Sequence, residues 1–509
     1  MDRRAFLTHG AAVAATGWLS ACGGGTPAPS AAPPAPPPDP SGVDWSPLTS
    51  RIQGRLLRPG DDDYDDFRRA ANARYDAQRP LAVLRCGGEA DVALGLDFAR
   101  IHRLRPIPRS GGHSYVGAST GDGLVIDLGP LDTLRLDGEV AVIGAGAKLS
   151  DVYAQLIAQG RCLPSGSCLS VGIAGITLGG GFGVTDRLHG LSCDALVGAR
   201  LVRADGQILS CDAQQEPELL WGLRGGGAGQ FGIVTELRMR THALGPMTEF
   251  EALFAGADLP AVLAAWQAWP QRMPDWIWSQ LVLGADGRGG VALRLWGVAV
   301  ADEASLQPHW TGLLDQVGRA PLAQRVRASS YRQTLLGPCE RLSLAQCRLP
   351  TQASGGVLPR TAMAASSDFF DRPLGEAGIR SLGQALGERA ASGRAGVAVL
   401  NLMGGAIARV APQDSAFVHR QALFSAQYLV EYAVGSAADT LDEGAQWAHG
   451  MRQRMSAWSS GRAYQNYPDL LIADGPTAYY GANLERLRRL KTRHDPEQLF
   501  SPPQGLRPA

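Results

Sequence analysis

The sequence predicts an α+β protein in two domains, and three observations carry that prediction. The chain has 509 residues, more than a single hydrophobic core of ordinary size organises. Its 64 glycines are many, and they cluster between Gly172 and Gly232, as expected where backbone must approach a ligand closely. From about Met247 to Glu443 that texture ends, and strand-like stretches alternate with helical ones. Lys and Arg total 48 and Asp and Glu total 48, a neutral balance that argues against a nucleic-acid surface or a polybasic membrane patch. Eight cysteines are too sparse for a disulfide scaffold, and without C-x-x-C spacing no zinc site is expected.

Residues 1–21 read as an address label. Arg3-Arg4-Ala5-Phe6-Leu7 followed by the apolar run Ala11 to Leu19 has the form of a twin-arginine export signal, and the run is too short for a permanent span. Leu19-Ser20-Ala21-Cys22-Gly23 fits a lipobox, with a lipid anchor at Cys22; plain signal-peptidase cleavage fits the same residues. Residues 22–44 are rich in Pro, Ala and Gly and read as a tether. The expected location is outside the cytoplasmic membrane, periplasmic or extracellular, reached by an export route that carries folded proteins.

The folded body is expected from Trp45. Asp61 to Arg74 has an acidic opening and reads as a helix. Leu81 to Cys86 is a short strand, and Ala90 to His102 carries apolar residues at helical spacing. Next comes Arg109-Ser110-Gly111-Gly112-His113-Ser114-Tyr115. Its glycine pair lets backbone N–H groups approach a phosphate. No phosphate loop needs His113, which in isolation reads as an ordinary loop histidine.

Gly123 to Leu128 and Val140 to Gly144 are further strands, and Leu149 to Gln159 a helix. Gly144-Ala145-Gly146 lacks the third glycine and the downstream acid of a Rossmann fingerprint. Between Cys168 and Gly183 stand Gly172, Gly175, Gly179, Gly180, Gly181 and Gly183. At about 0.5–1 kcal/mol each, such glycines would ruin an ordinary helix or strand; they are tolerable where backbone wraps a flat ring and a pyrophosphate. Ala204-Asp205-Gly206 marks a hairpin within Leu196 to Leu209, and Gly229-Gln230-Phe231-Gly232-Ile233-Val234 closes the glycine-rich region.

Taken together, these segments resemble the berberine-bridge-enzyme-like group of FAD-linked oxidases. That group carries R-S-G-G-H-S-Y, then C-P-T-V-G-V-G-G-x-x-x-G-G-G-Y-G, then W-x-x-R-G-G-G-x-x-x-F-G-I/V-V. Its closing motifs Y-x-N-Y-x-D, Y-G-x-N-x-x-R-L and K-x-x-x-D-P-x-x-x-F match Tyr464 to Asp469, Tyr480 to Leu487 and Lys491 to Phe500. Leu169, Ser170 and Ala174 depart from the pattern without removing the cysteine sulfur.

The resemblance implies a two-part FAD-binding domain of the vanillyl-alcohol-oxidase type over 45–243, completed by 456–509. It places between them a substrate domain over 244–455 with an antiparallel sheet backed by helices. It also implies FAD bound covalently, through His113 to the 8α-methyl and through Cys168 to C6. Arg109, Ser110, Gly111, Gly112 and Ser114 would line the first turn, and Val171 with the six glycines the second. Gly232, Ile233, Val234 and Asn466 would complete the cofactor site, and a valine at position 171 accompanies oxygen access in many members.

Within the middle region, Trp266, Trp269, Trp276, Trp278, Trp296 and Trp310 are as readily core as ligand wall, so no subsite is assigned to them. On the strand Phe424 to Val430, Ser425, Gln427 and Leu429 share one face. Gln427 matches a position that holds Gln in many alcohol- and sugar-oxidising members; Glu431 lies farther along that face. Tyr464 is the expected base, Gln427 the group that orients substrate, and Tyr467 the alternative base. A tyrosine with an ordinary pKa of about 10 needs nearby donors or positive charge to serve.

The leading expectation is an oxidase of an alcohol or a saccharide anomeric carbon that delivers electrons to dioxygen and releases hydrogen peroxide. The alternatives are oxidation of an aromatic or alkaloid-like natural product, a dehydrogenase using another acceptor, and an electron-relay flavoprotein.

Overall fold

The computed structural model describes residues 42–509. The twin-arginine segment, Cys22 and the tether as far as Ser41 lie outside the described residues. The first sheet contains β1 (Arg55–Leu57), β2 (Ala82–Arg85), β3 (Pro106–Arg109) and β4 (Leu124–Asp127), in the order β1-β2-β4-β3. The last three run parallel, with α1 (Glu89–Ile101) crossing from β2 to β3. Pro106 and Pro108 have no N–H to give a ladder, and β3 tolerates them because it is an edge.

A second, antiparallel sheet is built from β5 (Leu134–Asp137) and β6 (Val140–Gly144), then β8 (Leu196–Val202), β9 (Ile208–Asp212) and β10 (Ile233–Arg240). Its order is β5-β6-β10-β8-β9, and short β7 (Arg161–Cys162) pairs separately with β11 (His242–Ala243). The β8–β9 turn is the expected hairpin, with Gly206 at φ +80°. Helices α2 (Leu149–Ala158) and α3 (Ile173–Leu178) flank the Cys168 turn.

The third sheet has seven antiparallel strands: β12 (Met247–Ala255), β13 (Ile277–Asp286), β14 (Val291–Ala299), β15 (Ala323–Ser329), β16 (Ala362–Phe370), β17 (Ala395–Leu402) and β18 (Phe424–Tyr432). Their order is β15-β12-β14-β13-β17-β18-β16. Successive side chains alternate between faces, so each strand serves two environments. Leu281, Leu400, Ala426 and Tyr428 join a core with Trp266, Trp310, Leu382 and Met451. Those last four belong to α4 (Leu259–Ala268), α5 (Glu303–Val317), α6 (Glu376–Ala391) and α7 (Ala438–Met455). Gln280, Val282, Val399, Gln427 and Leu429 point the other way, into a cavity.

Beyond α7 the chain returns to the first core through Ala463, Tyr480, Leu487 and Phe500. α8 (Leu484–His494) is pinned by the buried Lys491, whose ammonium donates to the Gln230 and Phe500 carbonyls (2.7 Å each) and to Asp495 Oδ2 (2.6 Å).

Two expectations need correcting. Asp61 to Arg74 is not one helix: only Tyr64–Phe67 is helical, and Ala73–Tyr75 forms a separate 3-10 turn. The carbonyls of Phe67, Arg68 and Arg69 accept from the Arg109 guanidinium, and the Ala71 and Ala73 N–H groups donate to Gly112 and Thr361. Tertiary partners have replaced the helical ladder. In the third sheet the sequence suggests strands at Trp276 to Leu283, Gly290 to Trp296, Gly396 to Leu402 and Ala422 to Tyr432, and β12, β15 and β16 are additional to these. One disulfide, Cys339–Cys347, is present among the described residues.

Candidate active site

A cavity of about 1070 Å³ lies between the first two sheets and the open face of the third. Small-molecule sites usually span roughly 300–1,000 Å³, so this one has room for a large cofactor with a substrate beside it. One wall is the turn after β3. The carbonyls of Gly111, Gly112, Ser114 and Tyr115 are all taken, by Gln352 Nε2, Ala71 N–H, Gly117 N–H and Tyr75 Oη respectively. The N–H groups of Gly111 through Tyr115 donate to no acceptor among the described residues. Donors left without protein acceptors on a cavity wall are available to an anionic ligand.

This turn presses against the Cys168 turn. A Cβ on Gly111 would lie 2.1 Å from the Gly172 nitrogen, and one on Gly172 2.2 Å from Ser110 Oγ. Only glycine permits that approach. It brings together two reactive groups 55 positions apart in sequence. Ser170 Oγ lies 3.0 Å from His113 Nε2 and 3.7 Å from Cys168 Sγ, so one hydroxyl joins them. With Nε2 engaged, Nδ1 is the nitrogen left for chemistry. Burial, aided by the buried Lys148 ammonium, pushes His113 down to about 4, which keeps the imidazole neutral and its lone pair available. Cys168 is exposed to the cavity interior; its depth raises the thiol pKa, and the Ser170 hydroxyl opposes that rise.

Of the other expected cofactor residues, Arg109, Ser110, Ser114, Val171, Gly175, Gly183, Gly232, Ile233, Val234 and Asn466 also line the cavity. Gly179, Gly180 and Gly181 do not. They pack beneath the tyrosine loop: a Cβ on Gly179 would meet Asn466 Oδ1 at 2.0 Å, and one on Gly180 would meet the Tyr464 ring. Gly181, at φ +92°, donates its N–H to Tyr464 Oη (2.7 Å).

That bond falls on the oxygen of the expected base, whose side chain also lines the cavity. Tyr464 Oη also accepts from Asn466 Nδ2 (2.9 Å), and its ring is packed by Phe182, Phe369 and Phe417. Burial raises its pKa well above the usual tyrosine value, and the two donors on its oxygen oppose that rise. Tyr467, the alternative, lines the cavity with no hydrogen-bond partner on its hydroxyl among the described residues. Its ring meets Tyr464 edge-on at 4.8 Å and Tyr115 edge-on at 5.6 Å. Burial, then the neighbouring Cys168, pushes Tyr467 up to about 12. Gln427 Nε2 donates to Tyr115 Oη (2.9 Å), so Gln427, Tyr115 and Tyr467 form one polar cluster.

Tyr115 was inside the quoted signature but had no assigned role; its position directly beyond the histidine was the available signal. Glu431 also lines the cavity, without a hydrogen-bond partner among the described residues, and burial raises its carboxyl to about 7. Trp278 and Trp296 form an edge-on pair on the wall (5.4 Å), whereas Trp266, Trp269 and Trp310 are core. The motif's Asp469 holds the tyrosine loop in place, accepting from Ser366 Oγ (2.7 Å) and facing His449 Nδ1 (2.8 Å).

Comparison with known proteins agrees with this geometry. The family model described as "FAD binding domain" matches residues 80–212, and that described as "Berberine and berberine like" matches 463–507. The FAD-linked oxidoreductase YgaK of Bacillus subtilis is 30% identical over 90% of this chain and 98% of its own length. Chitooligosaccharide oxidase of Gibberella zeae is 29% identical over 84% of this chain and 87% of its own length. Glucooligosaccharide oxidase of Acremonium strictum, whose structure carries a 6-S-cysteinyl, 8α-N1-histidyl FAD, shares the fold. Its TM-score is 0.81 at 23% identity, over 91% of this chain and 98% of that one.

Proposed function

Because this chain belongs to the berberine-bridge-enzyme-like family of FAD-linked oxidoreductases, we propose that it is an oxidase of an alcohol or of a saccharide anomeric carbon. In this reading FAD is held covalently through His113 and Cys168, and dioxygen takes the electrons. The observation that carries it is the Ser170 bridge, which leaves a neutral His113 Nδ1 and a cavity-facing Cys168 thiol side by side. The histidyl and cysteinyl attachments of the glucooligosaccharide oxidase use the same pair of residue types.

When bound, the flavin supplies a two-electron acceptor for a hydride. The chain's own residues do the rest. Donors of the Gly111 to Tyr115 turn would hold the pyrophosphate, and the Gly111–Gly172 contact fixes the two attachment points relative to each other. Tyr467 accepts the substrate hydroxyl proton at Oη. Gln427 Nε2 donates to Tyr115 Oη, leaving the Tyr115 O–H to donate to substrate oxygen or to a Tyr467 phenolate. Glu431 and the Trp278–Trp296 pair offer a hydroxyl acceptor and an aromatic wall to the more distant parts of the substrate.

The test is peroxide release on a panel of oligosaccharides, aromatic alcohols and cyclic amines, beside mass spectrometry of acid-unfolded protein. Peroxide with a saccharide supports the reading. Peroxide only with aromatic alcohols or amines moves the substrate class, and flavin reduction without peroxide moves the acceptor. The reading includes export by the twin-arginine route on the strength of Arg3-Arg4-Ala5-Phe6-Leu7, which cell fractionation of an Arg3→Lys, Arg4→Lys variant tests.

A further inference from the structure

We propose that Gln352 is a positioning residue for flavin attachment, clamping the His113 and Cys168 turns so that nitrogen and sulfur meet one ring together. This rests on the doubly attached flavin of the preceding reading.

Gln352 lies on a strap between β15 and β16, in the part of the chain that otherwise builds the third sheet, yet the strap packs on the first two sheets. The Cys339–Cys347 disulfide closes its first half. Arg348 then pairs with Asp151 on α2 (2.6 Å). At the far end Arg360 donates to the Ala70 carbonyl (2.7 Å) and pairs with Asp76. Between these anchors the Gln352 amide is fully used. Nε2 donates to the Gly111 carbonyl (2.7 Å) and to the Ser170 carbonyl (2.8 Å), and Oε1 accepts from Leu349 N–H (3.2 Å). Gly111 stands two residues before His113, and Ser170 two residues after Cys168. Gln352 does not line the cavity; its contacts are to the backbones of the two turns, and it acts through them.

A rigid ring joined at two carbons demands a fixed separation between the attacking nitrogen and sulfur. In each attachment an N–H or S–H bond and a ring or methyl C–H bond break and one N–C or S–C bond forms. The two protons and two electrons released go to dioxygen, giving hydrogen peroxide. Once the first bond is made, the second depends on how closely its turn is held, and misplacement by about 1 Å costs on the order of a hundredfold in such a step. One carboxamide group sets that spacing from outside the cavity.

The experiment compares holoenzyme of wild type, Gln352→Ala and the nearly isosteric Gln352→Glu, produced identically. Each is mapped for flavinylated His113 and Cys168 peptides after acid unfolding, and its thermal midpoint and visible flavin spectrum are recorded. The expected result is both attachments in wild type, a retained His113 attachment in the variants, and a Cys168-attached fraction lowered about tenfold or more, with a matching spectral change. Should Gln352→Ala fail to fold, Gln352→Glu decides, since it keeps the shape and turns a donor toward two carbonyls into an acceptor. A folded variant with Cys168 attached to the wild-type extent overturns the clamp. Wild type lacking either attachment overturns the doubly attached flavin itself, an outcome visible in that sample alone.

Discussion

Tyr467→Phe and Tyr464→Phe remove the same atom three positions apart and should fail in opposite ways. Tyr467 Oη has no hydrogen-bond partner among the described residues, and its edge-on contacts with Tyr115 and Tyr464 come from the ring, which phenylalanine keeps. Tyr467→Phe should therefore leave stability within about 0.5 kcal/mol of wild type, as for a change that breaks no contact. If Tyr467 is the base, removal of a general base lowers the chemical step about 10²–10⁴-fold, or roughly 3–5 kcal/mol. Tyr464 Oη satisfies two donors, Gly181 N–H and Asn466 Nδ2. Unpaired buried donors cost about 1–3 kcal/mol each, so Tyr464→Phe should lose about 2–6 kcal/mol of local stability, with a lowered thermal midpoint. The assay is anaerobic flavin reduction by substrate in a stopped-flow instrument, beside thermal unfolding, with flavin content fixed by mass. A Tyr467→Phe enzyme that reduces its flavin at the wild-type rate would refute the assignment. So would a Tyr464→Phe enzyme of full stability and no activity, which would restore Tyr464 as the base.

Three further outcomes are expected. Ser170→Ala strips His113 Nε2 of its partner, and about 1–3 kcal/mol of lost orientation should cut the histidyl-attached fraction roughly five- to a hundredfold, while Ser170→Thr keeps it; peptide mapping reads both. Because Tyr467 is pushed up to about 12 and must lose its proton to act, flavin reduction should still climb with pH above 9. Glu431→Gln should leave that climb intact and remove only an inflection near 7; a profile flat above pH 8 would exclude a tyrosine base. Asp186 is buried, its Oδ1 has no partner, and burial raises its carboxyl to about 8. The folded chain keeps a proton there that the unfolded chain releases near pH 4, so this site subtracts stability as pH rises from about 4 to 8. Asp186→Asn should gain in thermal midpoint over wild type between pH 5 and pH 9; a constant difference would show that the group does not titrate in the fold.

The chemistry-bearing turns were legible because their constraints are local. Gly111 and Gly172 are glycines for a contact that any Cβ would block, and His113 and Cys168 sit directly beside them. Less legible were strands whose polar residues are satisfied by distant partners. β12 carries Glu249 and Glu251, which argue against an interior strand until Arg327 and Arg294 pair with them from β15 and β14. β16 buries Asp368 against Arg452 of α7 and Tyr428 of β18. The false helix at 61–74 failed for a related reason, its carbonyls having been claimed by Arg109. Distinguishing Tyr464 from Tyr467 is beyond any pattern: both occur in Y-x-N-Y-x-D, and the Gly181 N–H that reaches Tyr464 is supplied by another segment.

The cavity has walls made at very different moments. His113 and Cys168 leave the ribosome with the first two sheets, whereas Tyr464, Asn466 and Tyr467 follow only after all of β12 to β18 and α7. At about 5–20 residues per second, on the order of a minute separates the two events. For that interval the attachment turns lack the tyrosine loop that lines the finished cavity. Completion of the cavity is thus a late act of synthesis, and a chain cut short before Tyr464 has both attachment points and the wall of the third sheet without the tyrosine loop.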